Sequence, residues 1–370
     1  MKIPRFKLER FFAEYEFNVE HLLCGSDCES LSIDELLALE AGAEARFRDH
    51  WLGYTESQGS PQLREAIANI YETVKPDDVL VHAGAEEAIF TLMNAVLEPG
   101  DHIIVHWPSY QSLTEIARAI GCDVTLWRAD EAQDWALNVD ELRTAVSERT
   151  KLIVINVPHN PTGYLMGRDA FLQVSDIARE NGILLFSDEV YRESEYDPED
   201  RLPAACDLGA HAISLGVMSK TYGLAGLRIG WVATLNEDVR QRVAGMKDYT
   251  TICCSAPSEW LATLALRHRN KLVARNLGII AANLKLLDDF LDEHARRFSW
   301  VRPRAGSIAF PRLLAGQVDA FAKALVHEAS VLLLPGSVFD NQDDHFRIGF
   351  GRRNFPAALD HLDAYLKRQA

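Results

Sequence analysis

No apolar run in this chain approaches the roughly 20 residues that a membrane-spanning helix needs. The first residues also lack the apolar stretch of a secretory leader, so a cytoplasmic protein without membrane attachment is expected. Basic residues are in short supply: 38 Lys and Arg stand against 54 Asp and Glu, a net charge of −16. Non-specific nucleic-acid binding needs the opposite surplus, so no nucleic-acid partner is expected; a local basic pocket for an anionic cofactor is compatible with an acidic chain and is expected here. Cysteine is scarce too, with six in 370 residues. Cys24 and Cys28 are four apart and Cys253 adjoins Cys254, but no histidines at zinc-site spacing accompany them. The expectation is reduced, mostly buried thiols, with neither a disulfide framework nor a metal site. Internal repeats and low-complexity segments are missing as well. What remains is an ordinary globular composition, 48% hydrophobic and 25% charged, long enough for two to three domains.

Within that frame, short apolar runs alternate with helical patterns, which predicts a mostly parallel sheet with right-handed crossovers. The runs are 79–82, 103–105, 124–126, 152–155, 183–186, 212–215 and 228–232. Several deliver polar residues just past their carboxyl ends, the place where open α/β sheets bind ligands. The run at 152–155 leads to Asn160-Pro161-Thr162-Gly163. The run at 183–186 leads to Asp188-Glu189-Val190-Tyr191, and the run at 212–215 leads to Ser219-Lys220-Thr221-Tyr222-Gly223. A lysine parked between two core strands is costly to desolvate, and burial lowers its pKa. That environment suits an amine nucleophile that forms a Schiff base. A carboxylate, an amide, a phenol and a lysine placed together are what pyridoxal phosphate requires.

The ordered set Asn-Pro-Thr-Gly, Asp-Glu-Val-Tyr and Ser-Lys-Thr-Tyr-Gly-Leu-Ala-Gly-Leu-Arg resembles the class I/II aminotransferase family, across about residues 50–350. The resemblance implies an α/β fold of the aspartate aminotransferase type (fold type I). A large domain carries a mostly parallel sheet, of the seven-stranded type, sandwiched by helices, and a smaller α/β domain follows. The expected division is an N-terminal segment, 1–47, packed with the small domain; a large cofactor domain, 48–275; and a small domain, 276–370. It also implies pyridoxal 5'-phosphate as cofactor and a homodimer with shared active sites.

Position by position, the resemblance makes Lys220 the Schiff-base lysine and proton shuttle, and Asp188 the partner of the pyridine nitrogen. Asn160 and Tyr191 would bond the ring hydroxyl, and Tyr110 would stack on the ring. Ser219, Arg228 and the turn Gly84-Ala85-Glu86 would hold the phosphate, with Tyr54 reaching it from the neighbouring subunit. A helix starting at that turn presents backbone N–H groups and the positive end of its dipole. Arg347 interrupts an apolar strand, where a buried arginine needs an anion. The family uses it to clamp the substrate carboxylate by two parallel bonds, with Asn160 and Tyr110 alongside the substrate.

The chain departs from the family pattern in three places. Val217 stands where a serine often precedes the lysine by three residues. The usual glycine-containing substrate loop near the N-terminus is replaced by Gly25-Ser26-Asp27-Cys28-Glu29-Ser30, which is similar to the capreomycidine-synthase-like branch. No second arginine for a dicarboxylic side chain stands out. Asp27 and Glu29 are therefore the expected partners of a cationic substrate side chain. The reaction expected is amino transfer from an L-amino acid to a 2-oxo acid; the alternative is β-elimination or replacement with ring closure on a β-hydroxylated basic amino acid. Residues 7–17 place Leu8, Phe11, Phe12 and Tyr15 on one face of a helix that docks on the body or on a partner subunit.

Overall fold

Seven of the apolar runs pair into one sheet in the computed structural model, which describes residues 2–341 and 343–369. Its strands are β1 (Val79–His82), β2 (His102–Trp107), β3 (Asp123–Arg128), β4 (Thr150–Asn156), β5 (Leu184–Asp188), β6 (Ala212–Val217) and β7 (Gly230–Ala233). Their spatial order is β1-β7-β6-β5-β4-β2-β3. Every neighbouring pair is parallel except the two that β7 makes, with β1 and with β6. β1, β2, β6 and β7 are buried along their whole length, which explains their continuous apolar character: helices cover both faces of such a sheet. Because the six co-directional strands end on the same side, their carboxyl ends share one edge.

A second core lies beyond that sheet, built on β8 (Ile308–Ala309), β9 (Leu334–Pro335) and β10 (Phe346–Gly349), with β10 in the centre. The apolar run 331–334 does not form one strand. Val331–Leu332 instead pairs in parallel with His21–Leu22, and Leu334–Pro335 pairs antiparallel with β10. The helical stretch 256–293 breaks at His268, and Gly278 sits inside a 25-residue helix, Arg269–Glu293. Along that helix the buried face changes allegiance. Leu272 joins the core on one side of the large sheet, while Ile280, Leu284 and Leu287 join the second core. The change falls between Leu272 and Ile280.

The N-terminal segment divides, contrary to the expectation that all of 1–47 packs with the small domain. Leu23 and Cys28 enter the second core, but Leu36, Leu37 and Ala43 enter the core of the large sheet. Ser32 and Glu35 close a reciprocal capping box that starts a short helix, Ile33–Leu37, and the packing of that helix on the large-sheet core divides the segment. Ahead of it, helix α1 (Lys7–Tyr15) buries Leu8 among Phe310, Leu332, Leu334 and Phe339. The acidic stretch 193–200 is exposed only over 197–199. Glu193 and Glu195 are buried, the first receiving the Tyr222 hydroxyl at 2.8 Å and the second paired with Arg201 at 3.0 Å. Only their pairing makes that burial tolerable.

Candidate active site

Residues that follow the carboxyl ends of β1, β2, β4, β5 and β6 line a single cavity of about 350 Å³, with α1 on its far side. Asn156, the last residue of β4, organises the inner wall. Its amide donates to the Asp188 carbonyl at 2.8 Å, and its Oδ1 accepts the Asn160 backbone N–H at 2.7 Å. Two strand ends are thereby tied to one side chain. The motif reading passed over Asn156; its signal was a lone amide closing an apolar strand.

Asp188 is 5% exposed. Burial raises its carboxyl to about pKa 7, against the pull of the Val190 N–H, which donates to Oδ1 at 3.2 Å. Lys220 donates its Nζ to Ser26 Oγ at 2.8 Å. Burial lowers its pKa to about 8; Asp27 and Asp188 act the other way, and Arg347 reinforces the drop. Tyr191 is buried, and its hydroxyl lies near Ser26 without a hydrogen bond of good geometry, so it has no partner among the described residues. Burial also holds that phenol far above its ordinary range.

Arg347, in β10, is 1% exposed. Nε and Nη2 donate to the Cys24 carbonyl at 3.1 and 2.8 Å, and Nη1 donates to Asn160 Oδ1 at 3.1 Å. These partners fix the plane of the guanidinium without neutralising it. Burial lowers its pKa.

At the other end, Gly84 precedes helix α2 (Ala85–Val96) with φ +94°. That dihedral is what calls for glycine; a Cβ there would also meet Arg228 Nη2 at 2.5 Å and push the guanidinium aside. Arg228 itself takes φ +52° and lines the cavity with Ser219 and Ala225. The α2 N-terminus, Arg228 and Ser219 together suit an anion. Glu86 is kept off that position: its carboxylate receives the Ser112 hydroxyl at 2.5 and 2.7 Å, and burial raises its pKa. Tyr110 lines the cavity with its ring against Phe6, centroids 5.1 Å apart.

Three predicted positions fall elsewhere or are already engaged. Tyr54 is 87% exposed and lies outside the cavity of its own chain. Glu29 is not in the cavity wall either; its carboxylate accepts the Arg353 backbone N–H at 2.8 Å. Asp27 does line the cavity, yet Arg352 already grips it in a bidentate pair, Nε at 3.0 Å and Nη2 at 2.9 Å. Sequence reading missed Arg352, which joins Arg228 and Arg347 as a third arginine in the wall, and missed Ser26 as the partner of Lys220. It also missed Glu9, Phe12 and Glu16 of the α1 region, which the cavity includes.

The family model for aminotransferase class I and II matches residues 31–361. The chain belongs to that family. It is 29% identical over 356 residues to capreomycidine synthase of Streptomyces vinaceus, covering 94% of this chain and 90% of the relative. A PLP-dependent aminotransferase from Streptococcus suis superposes with TM-score 0.94 at 33% identity, over 100% of this chain and 99% of the other. The PLP-dependent cyclase OrfR superposes with TM-score 0.91 at 29% identity, over 100% and 99%. The protein is accordingly a fold-type-I enzyme of the PLP-dependent transferases, and its cofactor is pyridoxal 5'-phosphate.

The cavity fits that cofactor on its own evidence. The Gly84 turn and Arg228 suit the phosphate, and buried Asp188 suits the ring nitrogen. The unpartnered Tyr191 hydroxyl and Asn160 suit the ring hydroxyl, and Lys220 suits the aldehyde. No helix among the described residues is long and apolar enough to cross a membrane.

Proposed function

We propose that the protein transfers the amino group of an L-amino acid to a 2-oxo acid, working in the cytoplasm as a homodimer with shared active sites. The observation that carries this reading is Lys220. Its amine, lowered to about pKa 8, shares one cavity with a buried carboxyl and a buried guanidinium that no carboxylate in the described chain neutralises. The bound cofactor supplies an electron sink that makes the substrate Cα–H bond acidic. Arg347, with its plane fixed by Cys24 and Asn160, holds the substrate carboxylate and so orients that bond. Lys220, as the neutral amine, takes the α-proton and returns it on the far side of the reaction. Asp188 keeps the pyridine nitrogen protonated, and Asn160 and Tyr191 hold the ring hydroxyl. Gly84, Ala85, Glu86 (by its backbone), Ser219 and Arg228 hold the phosphate, and Tyr110 packs on the ring.

The homodimer is supported by an exposed apolar patch. Trp51, Leu52 and Tyr54 are 78, 77 and 87% exposed, and Tyr249 and Ile252 are 91 and 55% exposed. The Lys247 ammonium bonds the carbonyls of Ser57 and Ile252, and Thr55 bonds the Cys254 carbonyl, so the two segments adjoin. An apolar surface of this kind marks an interface, and Tyr54 would then serve the partner's phosphate site. Free cysteines, five of them buried, suit a reducing compartment.

A second reading, ring closure after loss of a β-substituent, is favoured by the loop 25–28. It sits in the cavity with Ser26 on Lys220, and two of the relatives are named as synthase and cyclase. Both routes begin with loss of the α-proton. The test is a spectral titration of the purified holoenzyme with a panel of L-amino acids and no 2-oxo acid, with products identified. Conversion to the amine form of the cofactor with one 2-oxo acid released per site supports transamination. A cyclic product with the aldehyde form retained supports the second reading.

A further inference from the structure

Lys220 carries the proton in the reaction proposed above, yet its amine makes no ion pair among the described residues. One side chain meets it there: Ser26, whose Oγ accepts a hydrogen from Nζ at 2.8 Å. Charging an amine inside a protein is costly unless a fixed polar group receives it, so the placing of this hydroxyl matters.

Ser26 reaches Lys220 from the far end of the chain, and backbone packing holds it there. The Gly25 carbonyl approaches β10 so closely that a Cβ on Gly349 would lie 1.7 Å from it, and a Cβ on Gly351 would lie 2.3 Å from the Asp27 carbonyl. Ser307 Oγ donates to the Ser26 carbonyl at 3.2 Å, and the Glu29 N–H donates to the Gly351 carbonyl at 2.9 Å. The other flank of the segment rests on the lysine turn. A Cβ on Gly223, at φ +67°, would meet the Glu29 carbonyl at 2.6 Å, and Arg275 Nη1 donates to that carbonyl at 2.7 Å. Segment 25–29 is thus held between the strand that carries Arg347 and the turn that follows Lys220. The Tyr191 hydroxyl lies beside Ser26 and has no other partner among the described residues.

We propose that Ser26 is a further catalytic residue, a fixed acceptor that holds the Lys220 amine when it is free and supports its charge once it has taken the α-proton. The Cα–H bond breaks, its electron pair passes into the sink that the cofactor supplies, and the proton joins the Nζ lone pair to give an ammonium. Ser26 neither gains nor loses a proton. Its oxygen accepts one N–H of Lys220, a bond that is stronger to an ammonium than to an amine. It therefore favours the proton-bearing form and directs the other N–H bonds away from itself. This inference deepens the amino-transfer reading and rests on Lys220 being the proton carrier.

The first readout needs no turnover. In apoprotein, the pH dependence of pyridoxal phosphate uptake gives the midpoint of the Lys220 amine, expected at about 8 in wild type. Ser26→Ala is expected to lower that midpoint by about one unit, because the ammonium loses its acceptor. Ser26→Thr, which keeps the hydroxyl, is expected to leave it in place. Asp27, Asp188, Glu9, Arg347, Cys28 and Tyr191 are the titratable and charged groups around this pair, and both variants keep all of them. The second readout follows exchange of the α-hydrogen of the standard L-amino acids with deuterated water in the holoenzyme, by NMR. For an amino acid that exchanges in wild type, Ser26→Ala is expected to slow exchange by about 10- to 100-fold at unchanged half-saturation, the worth of a charge-assisted contact. Ser26→Thr is expected to stay within a few-fold of wild type. Either readout unmoved by Ser26→Ala, or Ser26→Thr behaving as Ser26→Ala does, overturns the inference and leaves the amino-transfer reading standing. Wild type that takes up no pyridoxal phosphate, or that exchanges the α-hydrogen of no amino acid, sinks that underlying reading instead.

Discussion

The inner and outer walls of the cavity are built in opposite ways. The inner wall comes from five strand ends of one sheet, and most of its polar groups are fixed by neighbours: Asn156 binds Asp188 and Asn160, and Asn160 meets Arg347. The outer wall gathers α1, loop 25–28 and Arg352 from far ends of the chain, and its Glu9 and Glu16 make no ion pair or side-chain hydrogen bond among the described residues. Strand ends on a shared hydrogen-bonded lattice can hold atoms to the tolerance that bond-making needs. A helix draped across two cores can change its charges without disturbing that lattice. The inner wall thus carries the groups that the proposed chemistry uses, and the outer wall is the part whose charges can vary.

The largest effect expected to sharpen this contrast is at Lys220. Lys220→Ala should lower kcat by about 10⁴-fold, because both the cofactor attachment and the proton carrier are lost. Rapid-quench assay of the first turnover checks it. A residual rate within tenfold of wild type would break the assignment of chemistry to the inner wall. Arg347→Lys should come next, raising KM by about 10- to 100-fold with a smaller change in kcat, since an ammonium cannot make the two parallel bonds. Steady-state kinetics separates the two parameters.

pH offers a third probe, and its sign follows from burial. The Lys220 amine must be neutral to attack an aldehyde, and its pKa in the fold is about 8 rather than the usual 10.5. The rate at which apoprotein takes up pyridoxal phosphate should therefore rise through about pH 8 and level off above it. A profile still climbing steeply to pH 10 would mean that burial does not tune the lysine. The same shift sets a stability slope in the apoprotein. Between about 8 and 10.5 the unfolded chain binds the proton that the folded one has lost, so stability contributed by this group rises with pH in that window.

The smallest effect belongs to the outer wall. Arg352→Ala should cost about 1 to 2 kcal/mol of stability, the range for a partly exposed bidentate pair, and should raise KM more than it lowers kcat. Thermal unfolding and kinetics on the same preparation read both. A drop in kcat as large as that at Lys220 would erase the distinction between the walls.

Legibility in the sequence follows the same line. The sheet was readable because β1, β2, β6 and β7 are buried throughout and therefore apolar without interruption. Lys220, Asp188, Asn160, Tyr191, Arg228 and Arg347 were readable because each follows, opens or interrupts such a run, and all of them line the cavity. Glu29 was misplaced because a carboxylate in an acidic loop gives no sign of which way it faces; the fold turned it onto the Arg353 N–H. The split of the N-terminal segment depended on which core the capped helix Ile33–Leu37 would reach, a tertiary outcome that periodicity does not encode. The α1 helix was legible as amphipathic, but its polar side was invisible as a cavity wall. Only its anchoring to Gln111 and Asp340 brings Glu9 and Glu16 over the cleft.

The most direct test follows the nitrogen. Holoenzyme is given the amino acid that best converts its cofactor, labelled with ¹⁵N at the α-amino group, together with unlabelled 2-oxoglutarate and other 2-oxo acids, and the products are read by mass spectrometry. Transamination predicts the label in a new amino acid made from one of the 2-oxo acids, with the donor recovered as its own 2-oxo acid. Label retained in a product that still carries the donor's carbon skeleton, with no labelled acceptor, would contradict amino transfer and leave ring closure as the reaction of this site.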